Sequence, residues 1–149
     1  MQTAALTGRG PIVVERTFMA PRTKVWGALT DPAQMRAWYF PQLQDFQAVV
    51  GFETEFVVPH NGREFIHQWR VTEVIPGQKI SYAWTFGGYP GSSVLTIELF
   101  EQLGMTWLRL THAGIETFRG DLFPDLAKEN FVEGWTSIIG KALSAYLKG

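Results

Sequence analysis

The sequence predicts an α+β chain. One curved antiparallel sheet of about six or seven strands is interrupted after its first strand by two short helices, and a long C-terminal helix packs in its concave face. Three observations carry that prediction. Apolar and polar residues alternate with period two from about Phe46 to Thr111. The later strand segments are joined by short turns, which pair neighbours antiparallel. The apolar period then changes to that of a helix over Asp125 to Leu147.

The elements follow in order along a single domain, 1–149, whose residues 1–10 read as a loose tail. Ile12, Val14 and Phe18 alternate with Val13, Glu15 and Thr17, the pattern of a half-buried strand. Arg16 shares the apolar face and needs a partner or a wet cavity there. Pro21 suits the first position of a helix whose apolar side is Val25, Trp26 and Leu29. Asp31 as N-cap and Pro32 at N1 stop that helix and start another. The arm ends in Trp38-Tyr39-Phe40-Pro41, where Trp38 reads as a plug for the open end of the sheet and Phe40 as a lid over its interior.

The strands are read from their faces. Phe52, Thr54, Phe56 and Val58 oppose Glu53 and Glu55, and Asn61-Gly62 carries a hairpin signal. Phe65, His67, Trp69 and Val71 return along the inner face, and Pro76-Gly77 suits a type II turn. Ile80, Tyr82, Trp84 and Phe86 face in, followed by a glycine-rich loop from Gly87 to Gly91. Leu95, Ile97 and Leu99, then Leu108, Leu110 and His112, complete that face, with Trp107 turned outward.

With Asp125 to Leu147 set at about 100° per residue, Ala127, Phe131, Trp135, Ile138, Ala142 and Tyr146 share one stripe. Val132, Ile139, Leu143 and Leu147 widen it enough to fit a groove. Gly134 and Gly140 each cost the helix about 1 kcal/mol relative to Ala, and four β-branched residues from Val132 to Ile139 add to that. Packing must therefore hold this helix. The glycines read either as points of close backbone approach or as tolerated surface residues.

At 149 residues, 46% hydrophobic and 18% charged, the chain can bury a substantial core and is too apolar for disorder. An aromatic fraction of 14% with six tryptophans suggests a ring-lined cavity, against the plainer alternative of core filling. A net charge of −1 without a basic block argues against nucleic acid as the main partner. The absence of cysteine excludes disulfides and thiolate chemistry. No signal peptide and no membrane-spanning run is visible, so a cytoplasmic location is expected.

Catalytic patterns are sparse. His60 reads as a solvated turn residue, whereas His67 and His112 lie on the inward parity. No paired-histidine spacing suggests a metal, and no cofactor is implied. Glu53, Glu55 and Glu98 face outward rather than converging on a cleft, with Glu73 ambiguous near a strand end. No Gly-x-Ser-x-Gly elbow or phosphate loop occurs. Arg16, His67, Tyr82 and His112 are the inward polar groups; they either orient a ligand carrying a carboxylate, carbonyl or phenol, or pair among themselves and with water.

Ala20-Pro21 with Val25-Trp26, Ala28 to Pro32, Trp38, Val71 with Glu73-Val74 and Pro76 occur in an order that resembles the helix-grip superfamily. Thr106 with Leu108, His112 with Gly114, and Gly134-Trp135 with Ile139 and Leu143 continue the resemblance over nearly the whole chain. That superfamily includes START lipid-binding domains, the birch-pollen allergen and polyketide aromatases. Within it, the chain resembles the family named for homology to the C-terminal domain of the activator of the ninety-kilodalton heat-shock chaperone's ATPase. The resemblance implies a sheet wrapped round the last helix. It implies little about activity, because the fold hosts carriers, receptors, cyclases and chaperone co-factors. Trp69 departs from the pattern, standing where a small residue, often Gly, is expected; its indole should shrink or reshape the cavity.

The expected function is non-catalytic binding of a small apolar or aromatic molecule between sheet and helix. The expected lining is Arg16, Trp38, Phe40, Phe56, Phe65, His67, Trp69, Tyr82, Trp84, Phe86, His112, Phe131, Trp135 and Ile138. Two other readings stand beside it. One is a cyclase, aromatase or hydrolase in which His67 or His112 is the general acid–base and Arg16 stabilises charge. The other is a chaperone co-factor or another protein-interaction module; the eukaryotic activators carry an additional N-terminal domain that this sequence does not show, which weighs against it. A homodimer through exposed apolar edges is compatible with the sequence, which carries no interface signature.

Overall fold

The alternating stretches build one six-stranded antiparallel sheet in the order β1-β6-β5-β4-β3-β2. Its strands are β1 (Ile12–Phe18), β2 (Glu53–His60), β3 (Arg63–Ile75), β4 (Lys79–Phe86), β5 (Ser93–Gln102) and β6 (Met105–Ala113). The structure, a computed structural model, describes residues 10–148. The expected N-terminal tail therefore lies outside the described residues except for Gly10, whose carbonyl accepts from Lys128 Nζ at 2.7 Å. Every strand pair is antiparallel, and β1 and β2 form opposite edges of the sheet. The segment between them, with helices α1 (Arg22–Thr30) and α2 (Pro32–Trp38), carries the chain from one edge to the other.

The turns obey local chemistry. Asn61 and Gly62 both take positive φ, as a two-residue hairpin turn requires. Gly77 follows Pro76 at φ 76°, and Gln78 N–H closes the turn onto the Ile75 carbonyl at 2.9 Å. In β3 the pairing skips Thr72, a bulge that increases the local twist of the strand. The Asp31 carboxylate accepts from Gln34 N–H at 3.2 Å and starts α2 as its cap. Trp38 Nε1 donates to the Ala28 carbonyl at 2.8 Å, locking the two short helices together.

The long helix differs from a uniform one. A 3-10 turn (Pro124–Leu126) precedes α3 (Lys128–Ser137), followed by a π-helical segment (Ile138–Leu143) and α4 (Ser144–Lys148). The α-helix begins at Lys128, after an extended Ala127, rather than at Asp125; Asp125 lies in the 3-10 turn, where its carboxylate accepts from Asn61 Nδ2 at 2.9 Å and faces His60 and Arg63. The buried residues are Trp135, Ile139, Leu143 and Leu147, spaced by four. At 3.6 residues per turn such a row drifts by about 40° per step; the wider π segment turns the row back toward the sheet. This corrects the expected stripe: Phe131, Ile138, Ala142 and Tyr146 are only half-buried. Lys24 Nζ caps the helix end by donating to the Leu147 carbonyl at 2.8 Å. Among the described residues no helix is long and apolar enough to cross a membrane.

The two helix glycines do not mark close backbone approach. A Cβ on Gly134 would meet nothing within 4 Å, and one on Gly140 would meet only Arg16 Nη1 at 3.7 Å. Gly134→Ala should therefore stabilise the protein by up to about 1 kcal/mol and raise Tm by about 2–4 °C. A calorimetric Tm that falls would show that the helix backbone is constrained in a way its surroundings do not reveal.

Candidate functional site

The inner face is built by strand parity. Phe56, Phe65, His67, Trp69, Tyr82, Trp84, Phe86 and His112 are all buried on it, and Trp135 enters from α3. Register sets Trp69 opposite Trp84 and His67 opposite Phe86 across β3 and β4. Trp69 and Trp84 meet at 5.2 Å between ring centroids, and Trp84 stands perpendicular to Trp135 at 5.7 Å. Such edge-to-face pairs add to the burial of their rings. Tyr39 closes the group from the α2 end, 5.5 Å from Trp69 and 6.0 Å from Trp135. The centre of the space between sheet and helix is thus packed with rings, and Trp69, 2% exposed, is the largest of its β3 contributors.

What stays open is an apolar cleft of about 220 Å³ at one end of the helix. Val58, Phe65, Phe86, Leu126 and Phe131 line it, His67 and Gly134 border it, and His60, Asp125 and Asn130 form its polar side. A larger groove of about 590 Å³ lies on the other side of the sheet, among Glu53, Glu55, Gln68 and Arg70.

The two inward histidines differ in their hydrogen bonds. Trp135 Nε1 donates to His112 Nδ1 at 3.1 Å, because an indole N–H can only donate. The His112 proton therefore sits on Nε2, which donates to Ser93 Oγ at 2.8 Å, and Ser93 in turn donates to the Trp84 carbonyl at 2.9 Å. Both nitrogens of His112 are occupied. His67 Nδ1 is buried with no partner, as are Trp69 Nε1 and Trp84 Nε1. Burial holds both imidazoles neutral, with pKa lowered to about 3 in each. The Tyr39 and Tyr82 hydroxyls share a hydrogen bond of 2.9 Å, and burial pushes both phenols well above their ordinary pKa.

Several expected lining residues stand elsewhere. Arg16 keeps its inward parity opposite Leu108, but its side chain is exposed and its guanidinium lies beside Gly140 of the π segment, so it does not contribute charge to the interior. Trp38 is buried in the helical arm, stacked on Tyr39 at 4.7 Å with its N–H satisfied. Ile138 is half-buried at the start of the π segment. Phe40, by contrast, stands at the inner face as expected: it is half-buried and packs against Phe56, His67, Trp69 and Trp84. Tyr39, Phe46, Ser93, Val58 and Leu126 were not among the expected residues. Parity alone marks Ser93 and Val58 as inward; Tyr39 lies in irregular chain, and so does Phe46, because the period-two stretch expected from about Phe46 becomes strand only at Glu53. Among the described residues no group of His, Asp or Glu converges to hold a metal.

Residues 19–148 match the family described as Activator of Hsp90 ATPase homolog 1-like protein. No curated protein matches the chain. Among solved structures, protein CV1439 from Chromobacterium violaceum is 26% identical with a TM-score of 0.77, over 94% of this chain and 98% of its own. A protein from Arthrobacter aurescens, 16% identical, superposes with a TM-score of 0.78 over 99% of this chain and 90% of its own. DynU16, a protein in the dynemicin biosynthetic locus, is 21% identical with a TM-score of 0.72, over 93% of this chain but 47% of its own.

The neutral burial of His67 and His112 fixes the sign of an acid effect. Above the ordinary pKa of 6.5 the stabilising difference is fully present; it is lost as pH falls toward about 3, because the unfolded imidazole takes up its proton first. Between pH 7 and pH 5 each histidine should cost about 2 kcal/mol of stability. Urea unfolding at the two pH values should show that His67→Phe removes one such share. Equal pH dependence in variant and wild type would mean that folded His67 titrates like a solvated ring.

Proposed function

The chain belongs to the activator of Hsp90 ATPase homolog 1-like family, and from that premise we propose that it binds a small apolar or aromatic molecule in the cleft beside His67, without transforming it. The observation that carries this reading is the cleft itself. Phe65, Phe86 and Phe131 give it aromatic walls, Val58 and Leu126 add aliphatic surface, and Gly134 leaves the helix side bare. Concave, mostly apolar space with a few polar groups at its border is what small-molecule sites share. Its volume of about 220 Å³ suits a one- or two-ring compound.

An acid–base enzyme is the weaker reading. A general base at neutral pH needs a pKa near 7 and a free nitrogen. His112 has neither, and His67 has only the free nitrogen. Arg16, the charge such a mechanism would call on, is exposed at the sheet edge.

Gly134→Phe tests the cleft, because the new side chain starts in open space and fills the site rather than the core. In a thermal-shift titration 2-naphthol should stabilise the wild type and shift the variant at least about tenfold less. Equal stabilisation of both would place binding elsewhere, and no stabilisation of the wild type would remove the reading.

A further inference from the structure

Three unpartnered polar atoms belong to rings packed together in one part of the aromatic interior, where Trp84 lies 5.2 Å from Trp69 and 5.5 Å from His67 between ring centroids. Trp69 Nε1 and Trp84 Nε1 are donors with nothing to receive their hydrogens, and His67 Nδ1 is equally unmatched. Buried polar groups are nearly always paired, so a local cluster of exceptions calls for a cause. The deficit is not general to this protein's indoles. Trp38 donates to the Ala28 carbonyl and Trp135 to His112, while Trp26 and Trp107 are only partly covered.

The three rings share a neighbour. Phe40 lies 5.2 Å from His67, 5.9 Å from Trp69 and 6.0 Å from Trp84, inclined edge-on to each. Its side chain is a hydrocarbon and offers them at most the weak acceptor of a ring face. It is half-buried, and it follows α2 in irregular chain rather than standing on a strand. His67 also borders the cleft, so the cleft and the seat of Phe40 adjoin across one residue. The cleft alone falls below the ~300 Å³ at which ligand pockets usually begin; adding the space of one phenyl ring brings it toward that range.

We propose that Phe40 occupies the seat of a planar aromatic molecule carrying a neutral carbonyl oxygen, and that the ring swings outward to admit it while Trp69 and Trp84 donate their free N–H groups to that oxygen. This rests on the cleft being a ligand site and names the chemistry it selects. The carbonyl is neutral because among the described residues no cation is placed at the seat: His67 is held uncharged by burial and Arg16 is exposed at the far edge strand. A carboxylate there would be buried without a counter-charge, which is strongly unfavourable. The neutral His67 Nδ1 supplies a third contact, as donor or acceptor according to its tautomer.

The matched pair 1-indanone and indane, alike in shape but differing in the carbonyl, tests this on the full chain. Indole N–H signals in nitrogen–proton correlation spectra are assigned by their loss in Trp69→Phe and Trp84→Phe. 1-Indanone should displace those two signals, leave that of Trp38 in place, and bind about tenfold tighter than indane. Each Trp→Phe change should reduce that preference about two- to tenfold, the range of one hydrogen bond. Phe40→Ala should tighten both ligands alike, and Phe40→Leu, which keeps most of the bulk, should do so less. An unperturbed Trp38 signal in each variant establishes that it is folded. Equal affinity for the two ligands, with the cleft aromatics perturbed, would keep the cleft and overturn the carbonyl assignment. Binding of neither ligand, by wild type or Phe40→Ala, would overturn both.

Discussion

The hydrogen bond from Trp135 to His112 sets how the long helix meets the sheet. An indole donor and an imidazole acceptor, both buried, leave little freedom of rotation or translation between α3 and β6. The chain continues through Ser93 to the backbone of Trp84, so one run of hydrogen bonds crosses β6, β5 and β4. Breaking such a run strands buried groups at about 1–3 kcal/mol each. With Trp135 fixed, Phe131 and Gly134 are turned to the cleft and Ile139, Leu143 and Leu147 to the core. A plain α-helix cannot hold a four-residue row against a sheet for that distance. The π segment reconciles the anchor at Trp135 with the cap that Lys24 places on Leu147.

A core filled by tryptophan resolves in favour of packing even where hydrogen bonding is incomplete. A buried indole removes roughly 150–250 Å² from water, worth about 4–6 kcal/mol gross at about 25 cal/mol per Å². An unmade N–H costs about 1–3 kcal/mol. Trp69 and Trp84 are therefore net stabilising where they stand, although their donors have no partner. The deficit is tolerated by the fold but not required by it, since Trp38 and Trp135 show that this chain can pair a buried indole.

Much of the architecture was legible because strand parity is a local rule. A residue two positions along a strand faces the same way, so Phe65, His67, Trp69 and Val71 could be placed inward without knowing what they meet. Asp31-Pro32 and Asn61-Gly62 were equally local, fixed by capping and by positive φ. The π segment was not legible, because it arises from a mismatch between two tertiary anchors. Arg16 shows another limit: parity gives the direction of a side chain but not its burial, and Arg16 is exposed although Ile12 and Phe18 on the same face of β1 are buried. The ring cluster was visible as composition, yet whether it lined a void or filled one depended on Tyr39 and Phe46 from irregular chain.

His67 and His112 show why hydrogen-bond accounting, rather than pKa, separates structural from functional groups here. Both occupy inward strand positions, both are buried, and desolvation lowers both to about 3. By titration alone they are indistinguishable. His112 has its tautomer fixed by an obligate donor on one side and spends its proton on Ser93 on the other, so it has no capacity left for a ligand. His67 has the same chemistry uncommitted, beside two indoles in the same state and at the border of an apolar cleft. Desolvation reports only that a group is enclosed. Capacity left unspent inside that enclosure is what makes His67, and not His112, the histidine to which an incoming molecule could matter.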